Sequence, residues 1–165
     1  MPLMAKQRGT SLIEVMVSLF LLAIGLLGIL ALQNSSHQSN QAAMFSSEAA
    51  MYADDMVNRI LISDDPLIDT DDTAYDNIDT NSLGADVVPN CSSGCSASQI
   101  LNRDRITWSK AIKAGLPGGR GQVSHDASTY TVTVMWDDQL TGADGTGCGG
   151  NPKVDLRCMT FKFQL

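Results

Sequence analysis

Glu14 is the residue whose type and place most demand a reason. It follows Gly9-Thr10-Ser11-Leu12-Ile13 and precedes a run from Val15 to Leu32 that holds no charge. A carboxylate at the start of such a run is costly in an apolar medium and marks a functional candidate. Either it sits at headgroup level, or it pairs with a cation. Other groups able to do chemistry are few. His37 and His125 are the only two histidines, and His125 stands beside Asp126. A Ser-His-Asp set would need a serine placed by the fold, and the G-x-S-x-G elbow is absent. Asp137-Asp138 after Trp136 reads as a turn that ends a strand. Gly115-Leu116-Pro117-Gly118-Gly119-Arg120-Gly121 is a turn segment and not a phosphate loop, because GxxxxGK[ST] is missing. Seven Asp and no Lys or Arg fall from Asp64 to Asp79. An EF-hand loop alternates acids, then needs Gly and a distal Glu. Asp69-Thr70-Asp71-Asp72-Thr73 lacks both, so the stretch reads as a solvated acidic loop. No catalytic residue, metal or cofactor is assigned, and the chain reads as a non-enzyme.

Composition bounds the elements that must position these groups. The 165 residues suit one domain with an appendage. The formal charge of −7 and pI near 4.5 disfavour a nucleic-acid partner, which needs a basic stripe. Sixteen of the eighteen acids are Asp, a residue of turns and loops more than of helix surfaces.

The N-terminus sets the compartment. Lys6 and Arg8 precede the apolar run, which exceeds the 7–15 residues of a secretory h-region and is followed by no good A-x-A site. Residues 10–32 give 23 positions with one charge, enough to span a bilayer. The basic flank stays in the cytoplasm, which places the bulk on the other side. There the four cysteines, Cys91, Cys95, Cys148 and Cys158, meet an oxidising space and read as disulfides. Three connectivities are open, and proximity favours Cys91–Cys95 with Cys148–Cys158. The C-x3-C and C-x9-C spacings match no zinc ribbon or finger.

The segment Gly9-Thr10-Ser11-Leu12-Ile13-Glu14, with its basic leader and apolar run, resembles the class III signal of type IV pilins and pseudopilins. The resemblance implies cleavage between Gly9 and Thr10 by a membrane prepilin peptidase and methylation of the new N-terminus at Thr10. Thr10 stands where that family usually has Phe. The fifth mature residue is Glu14, as in the family. It would pair with the amino terminus of a neighbouring subunit and fix axial register, offsetting the desolvation cost of both charges. Removing nine of 165 residues leaves 156, and losing Lys6 and Arg8 moves the side-chain charge from −7 to −9.

Beyond the signal, one helix is expected from Thr10 to Ile62, roughly 80 Å at 1.5 Å per residue. Its first half is apolar all round. Gln33 to Asn40 is polar and reads as a weak spot. Local unwinding near this depth and close packing through Gly25 and Gly28 are both open readings. Past it, Ala42, Phe45, Ala49, Tyr52/Ala53, Met56 and Ile60 form one face at helical spacing. Asp55 and Arg59 make an i,i+4 pair. Ser63-Asp64-Asp65-Pro66 ends the helix. Leu67 to Pro89 is loop-like. A second helix spans Ser98 to Ala114, with Ile100, Leu101, Trp108, Ala111 and Ile112 sharing a face. Thr129 to Trp136 alternates as a strand, with Tyr130, Val132, Val134 and Trp136 on one side. Val154 to Phe163 is a second strand, and Gln122 to His125 adds a short one. The expected class is α+β, a long N-terminal helix packed on a small antiparallel sheet, the pilin-like fold. The expected division is leader 1–9, membrane or filament-core helix 10–32, amphipathic continuation 33–63 and periplasmic head 64–165.

Trp108, the Leu116-Pro117-Gly118-Gly119-Arg120-Gly121 turn, Tyr130 to Asp138 and the Cys158 strand together resemble the minor pilins of the PilV family, the type IV pilus modification proteins. That resemblance implies an inner-membrane protein with its head in the periplasm. It would join other minor pilins, prime polymerisation of the major pilin at the pilus tip, and reach the cell surface on assembly. Pili of this kind serve adhesion and twitching motility. A minor pseudopilin of type II secretion would share everything to about Ile62, and a single-span periplasmic protein would retain residues 1–9.

Overall fold

A computed structural model describes residues 12–63, 75–83 and 87–165. Its elements are α1 (Leu12–Ser63), β1 (Ile78–Asp79), α2 (Ala97–Gly115), β2 (Arg120–Asp126), β3 (Thr129–Trp136) and β4 (Arg157–Gln164). They fall into two compact units, Met1–Gln41 and Ala42–Leu165. The described part of the first unit is α1 alone. The acidic residues Asp64 to Asp72, with the calcium question they raised, lie outside the described residues.

α1 is helical throughout Gln33–Asn40. The segment contains no Pro, and its Asn, Ser and Gln side chains lie on an exposed surface where they do not interrupt the ladder. In the second unit α1 buries Phe45, Ala49, Ala53, Met56 and Ile60, the stripe its spacing predicted. The first turn of α2 is fixed by a capping box. The Ser96 hydroxyl accepts from the Gln99 N–H, and Gln99 Oε1 accepts from the Ser96 N–H at 2.9 Å. Leu116 ends it, its N–H donating to the Ile112 carbonyl.

The sheet is an antiparallel meander in the order β1-β2-β3-β4. Val123, Tyr130, Val132, Val134 and Trp136 face the α1 stripe together with Trp108 and Ile112 of α2, making one core. Trp108 is fully buried, and its indole N–H donates to the Tyr52 carbonyl at 2.8 Å. Gly121 is needed because a Cβ there would overlap the Trp108 ring and come within 2.8 Å of Ile112 Cδ1.

Four expected boundaries change. The turn after α2 stops at Gly119, because Arg120 and Gly121 already pair with Met135 and Val134. β2 therefore runs Arg120–Asp126, longer than the segment expected there. β4 begins at Arg157. Gly145 exchanges backbone hydrogen bonds with Val154 and Leu156 at 2.8 Å each, which commits 154–156 to a loop bridge before the strand starts. The stretch read wholly as loop contains β1, held by Ile78 in the core and by Thr80, whose hydroxyl accepts from the Gly121 N–H at 2.8 Å.

The β2–β3 turn puts Ala127 at φ 56°. A left-handed Ala costs roughly 1–2 kcal/mol that Gly avoids. Ala127→Gly is expected to stabilise the fold by about 1 kcal/mol, read as a raised urea midpoint for the full chain in detergent.

Candidate functional site

In the first unit, α1 presents its apolar side chains outward all round. An 18-residue window has mean hydropathy 2.8 and none of it is buried. By length and composition this helix can cross a membrane. Glu14 lies near its start, and Ser18 one turn later donates its hydroxyl to the Glu14 carbonyl at 2.7 Å. The Glu14 carboxylate forms no hydrogen bond or ion pair among the described residues and shares its face with Val15, Ser18, Leu19 and Leu22. In hydrocarbon such a group must find a cation on another chain or a neutral state. Gly9 and Thr10 lie outside the described residues.

In the second unit the charged groups mostly hold the fold. The expected Asp55–Arg59 pair forms at 3.0 Å, and Arg59 also reaches Asp104 of α2 at 2.7 Å. The Tyr75 hydroxyl donates to the other Asp104 oxygen at 2.8 Å. Burial, reinforced by the Asp104 hydrogen bond and charge, pushes the Tyr75 phenol well above its ordinary value of 10. Sequence reasoning missed Asp104. The available signal was a lone acid three residues after Leu101 and four before Trp108, on the apolar side of α2. Partial burial pushes the Asp79 carboxyl up, but hydrogen bonds from the Arg120 fork, the Asn81 N–H and the Gln122 amide outweigh it and hold the carboxyl below the usual range.

The loop between β3 and β4 forms a concave region of the second unit. Asp138, Gln139, Cys148, Pro152, Asp155 and Arg157 border a groove of about 400 Å³. Its charges are engaged with each other or with the backbone. Arg157 donates to Asp138 at 3.0 Å and lies over the Trp136 ring, and Asp155 accepts from the Asn151 N–H at 3.0 Å. Both cysteine pairs are disulfides, Cys91–Cys95 and Cys148–Cys158, the latter joining the loop to β4. Asp137, read from sequence as a simple turn residue, is buried and organises the loop. Burial drives its carboxyl up, but hydrogen bonds from the backbone N–H groups of Thr141, Gly142 and Gln139 and from the Thr141 hydroxyl win and hold it below 3.8.

These contacts give two expected results. Replacing both Cys148 and Cys158 by Ser should cost roughly 2–3 kcal/mol on the loop-entropy argument for a ten-residue separation. The check is the urea midpoint against wild type, with reductant making the two proteins alike at this bridge. Because the folded-state pKa of Asp137 is depressed, its contribution is present above the unfolded pKa near 3.9 and fades as pH falls through the folded value. Asp137→Asn should therefore be less stable at pH 7 and approach wild type toward pH 3, measured by thermal melts across that range.

His37 is on α1 in the first unit, and His125 is in the second, stacked on Tyr130 with ring centroids 4.2 Å apart. Among the described residues no group of three His, Cys, Asp or Glu is placed to hold a metal. The groove offers neither a free thiol nor a histidine.

Comparison with known proteins bears on the N-terminus. Residues 4–30 match the family described as the prokaryotic N-terminal methylation motif. No curated protein and no solved structure matches the chain. The matched segment holds Lys6, Arg8, Gly9, Thr10, Glu14 and most of the apolar run. It supports a pilin-like or pseudopilin protein of the type IV pilin superfamily, a class that is structural rather than catalytic, handled by prepilin peptidase and anchored in a membrane by its N-terminal helix.

Proposed function

We propose that this protein is a minor type IV pilin that primes pilus assembly from the inner membrane and resides near the pilus tip. The observation that carries the reading is the methylation motif over residues 4–30, continued by an apolar helix with no buried face. In this reading residues 1–9 are the leader, removed between Gly9 and Thr10, and Thr10 is methylated. Residues 10–32 pack as parallel helices with other minor pilins and the major pilin, and Glu14 sets their register by pairing with a neighbour's N-terminus. Residues 33–63 continue the helix into a periplasmic head that extends to residue 165. The head resembles the PilV family in its Trp108, Leu116 to Gly121 turn and Tyr130 to Asp138 strand. The protein acts without catalysis, cofactor or nucleic acid, and serves adhesion and twitching only through the filament.

The same motif serves minor pseudopilins of type II secretion, so the deciding experiment separates the two systems. Deleting the gene in its native host should abolish surface pili and twitching while leaving secretion of extracellular enzymes intact, with both restored by the wild-type chain. Loss of secretion with normal pili would assign the protein to the secretion apparatus.

A further inference from the structure

β4 (Arg157–Gln164) is the last strand of the sheet, and its ladder is made on one side only. Every residue from Arg157 to Gln164 pairs with β3, and no described residue pairs on the other side. The register is continuous and the strand contains no proline, and the only charges along it are Arg157 and Lys162. A long regular edge of this kind is a template for another strand. The opposite edge differs, since β1 has only two residues.

The core face also runs out at β4. Phe161 stands opposite Val132. Val132 is fully buried, whereas Phe161 keeps 38% of its surface exposed. Met159 and Phe163, two residues to either side on the same face, are only partly buried. The charge at this edge departs from that of the chain. The protein carries −7, yet residues 153–165 hold Lys153, Arg157 and Lys162 against the single acid Asp155. Arg157 is taken by Asp138. Lys162 is exposed on the outer face, opposite Thr131, with no partner among the described residues.

We propose that the free edge of β4 pairs with a strand of another polypeptide, apolar on the side that continues the Phe161 face and acidic on the side beside Lys162. The backbone ladder would supply affinity and the alternating side chains selectivity. The added strand would cover Phe161 and set a carboxylate across from Lys162, at the distance where cross-strand pairs interact. The inference rests on the head alone, so its failure leaves the reading of the N-terminal segment untouched.

The test uses the full chain in detergent micelles and two fluorescent eight-residue peptides, one alternating Val with Glu and one alternating Val with Lys. The acidic peptide should bind at least tenfold more tightly than the basic one. Lys162→Glu should abolish that preference. Lys110→Glu, an equal charge change on the exposed side of α2, should leave it unchanged. Equal binding of the two peptides, no binding of either, or the same loss in both variants would overturn the proposal. Concentration-dependent self-association that Lys162→Glu abolishes, with neither peptide bound, would also overturn it and give the edge to a second copy of this chain.

Discussion

Arg59→Ala is expected to lower the unfolding free energy by about 3 kcal/mol, the low end for breaking a buried ion pair because Arg59 itself is partly exposed. The guanidinium joins Asp55 on its own helix to Asp104 on α2, and Asp104 accepts from Tyr75 with its other oxygen. Removing it leaves a carboxylate that is 91% shielded, since its side chain is 9% exposed, with only a phenol for a partner. Arg59→Lys should recover part of the loss, because an ammonium reaches one carboxylate but lacks the planar fork that serves both. Asp55→Ala should cost only a few tenths of a kcal/mol, as an exposed i,i+4 pair does. Urea titrations of the three variants check the order. Equal effects from Arg59→Ala and Asp55→Ala would mean that the link to Asp104 contributes nothing.

Glu14→Ala should abolish incorporation into filaments, by at least tenfold in pilus counts or in co-purification with other subunits, while leader removal proceeds. The variant makes the apolar helix more apolar, so a simple membrane anchor would insert as well or better. Only an assembly role predicts a loss. The physical cause is the paired cost of a lone carboxylate and a lone ammonium in hydrocarbon, each offset only when the two meet between parallel helices. Glu14→Gln should fail as well, since it retains shape and hydrogen bonding without the charge. Normal incorporation of Glu14→Ala would remove the register role from the account.

Strong periodicity made most of the architecture legible in the sequence. The three- and four-residue steps from Phe45 to Ile60 and the alternation from Tyr130 to Trp136 each single out residues that form the core. β3 has the bounds its pattern implied, because it is a central strand with one face buried and pairs on both sides. Edges were harder to read. β1 is two residues in an Asp-rich stretch, held by the Thr80 hydroxyl and Ile78 rather than by any repeating pattern. The start of β4 was misplaced because Val154 and Leu156 look like strand residues, whereas their backbone groups are bonded to Gly145. The buried acids Asp104 and Asp137 were missed for a related reason. An acid next to a turn or on a helix reads as solvated until tertiary contacts supply its donors. The N-terminal segment is the reverse case. Residues 4–30 match a family motif as a linear pattern, which needs no fold to be recognised.

The central claim, that the first nine residues are a leader and Thr10 begins the working protein, is tested most directly by intact mass. The chain would be purified from membranes of cells with and without the native prepilin peptidase. The account predicts a 156-residue species starting at Thr10, carrying a methyl group and lacking the four hydrogens of two disulfides, and only the uncut 165-residue chain where the peptidase is absent. A protein that keeps Met1 to Gly9 in the presence of the peptidase would contradict the account and leave an ordinary single-span anchor. A protein that begins near Leu32 would contradict it too, by making the apolar helix a discarded secretory signal.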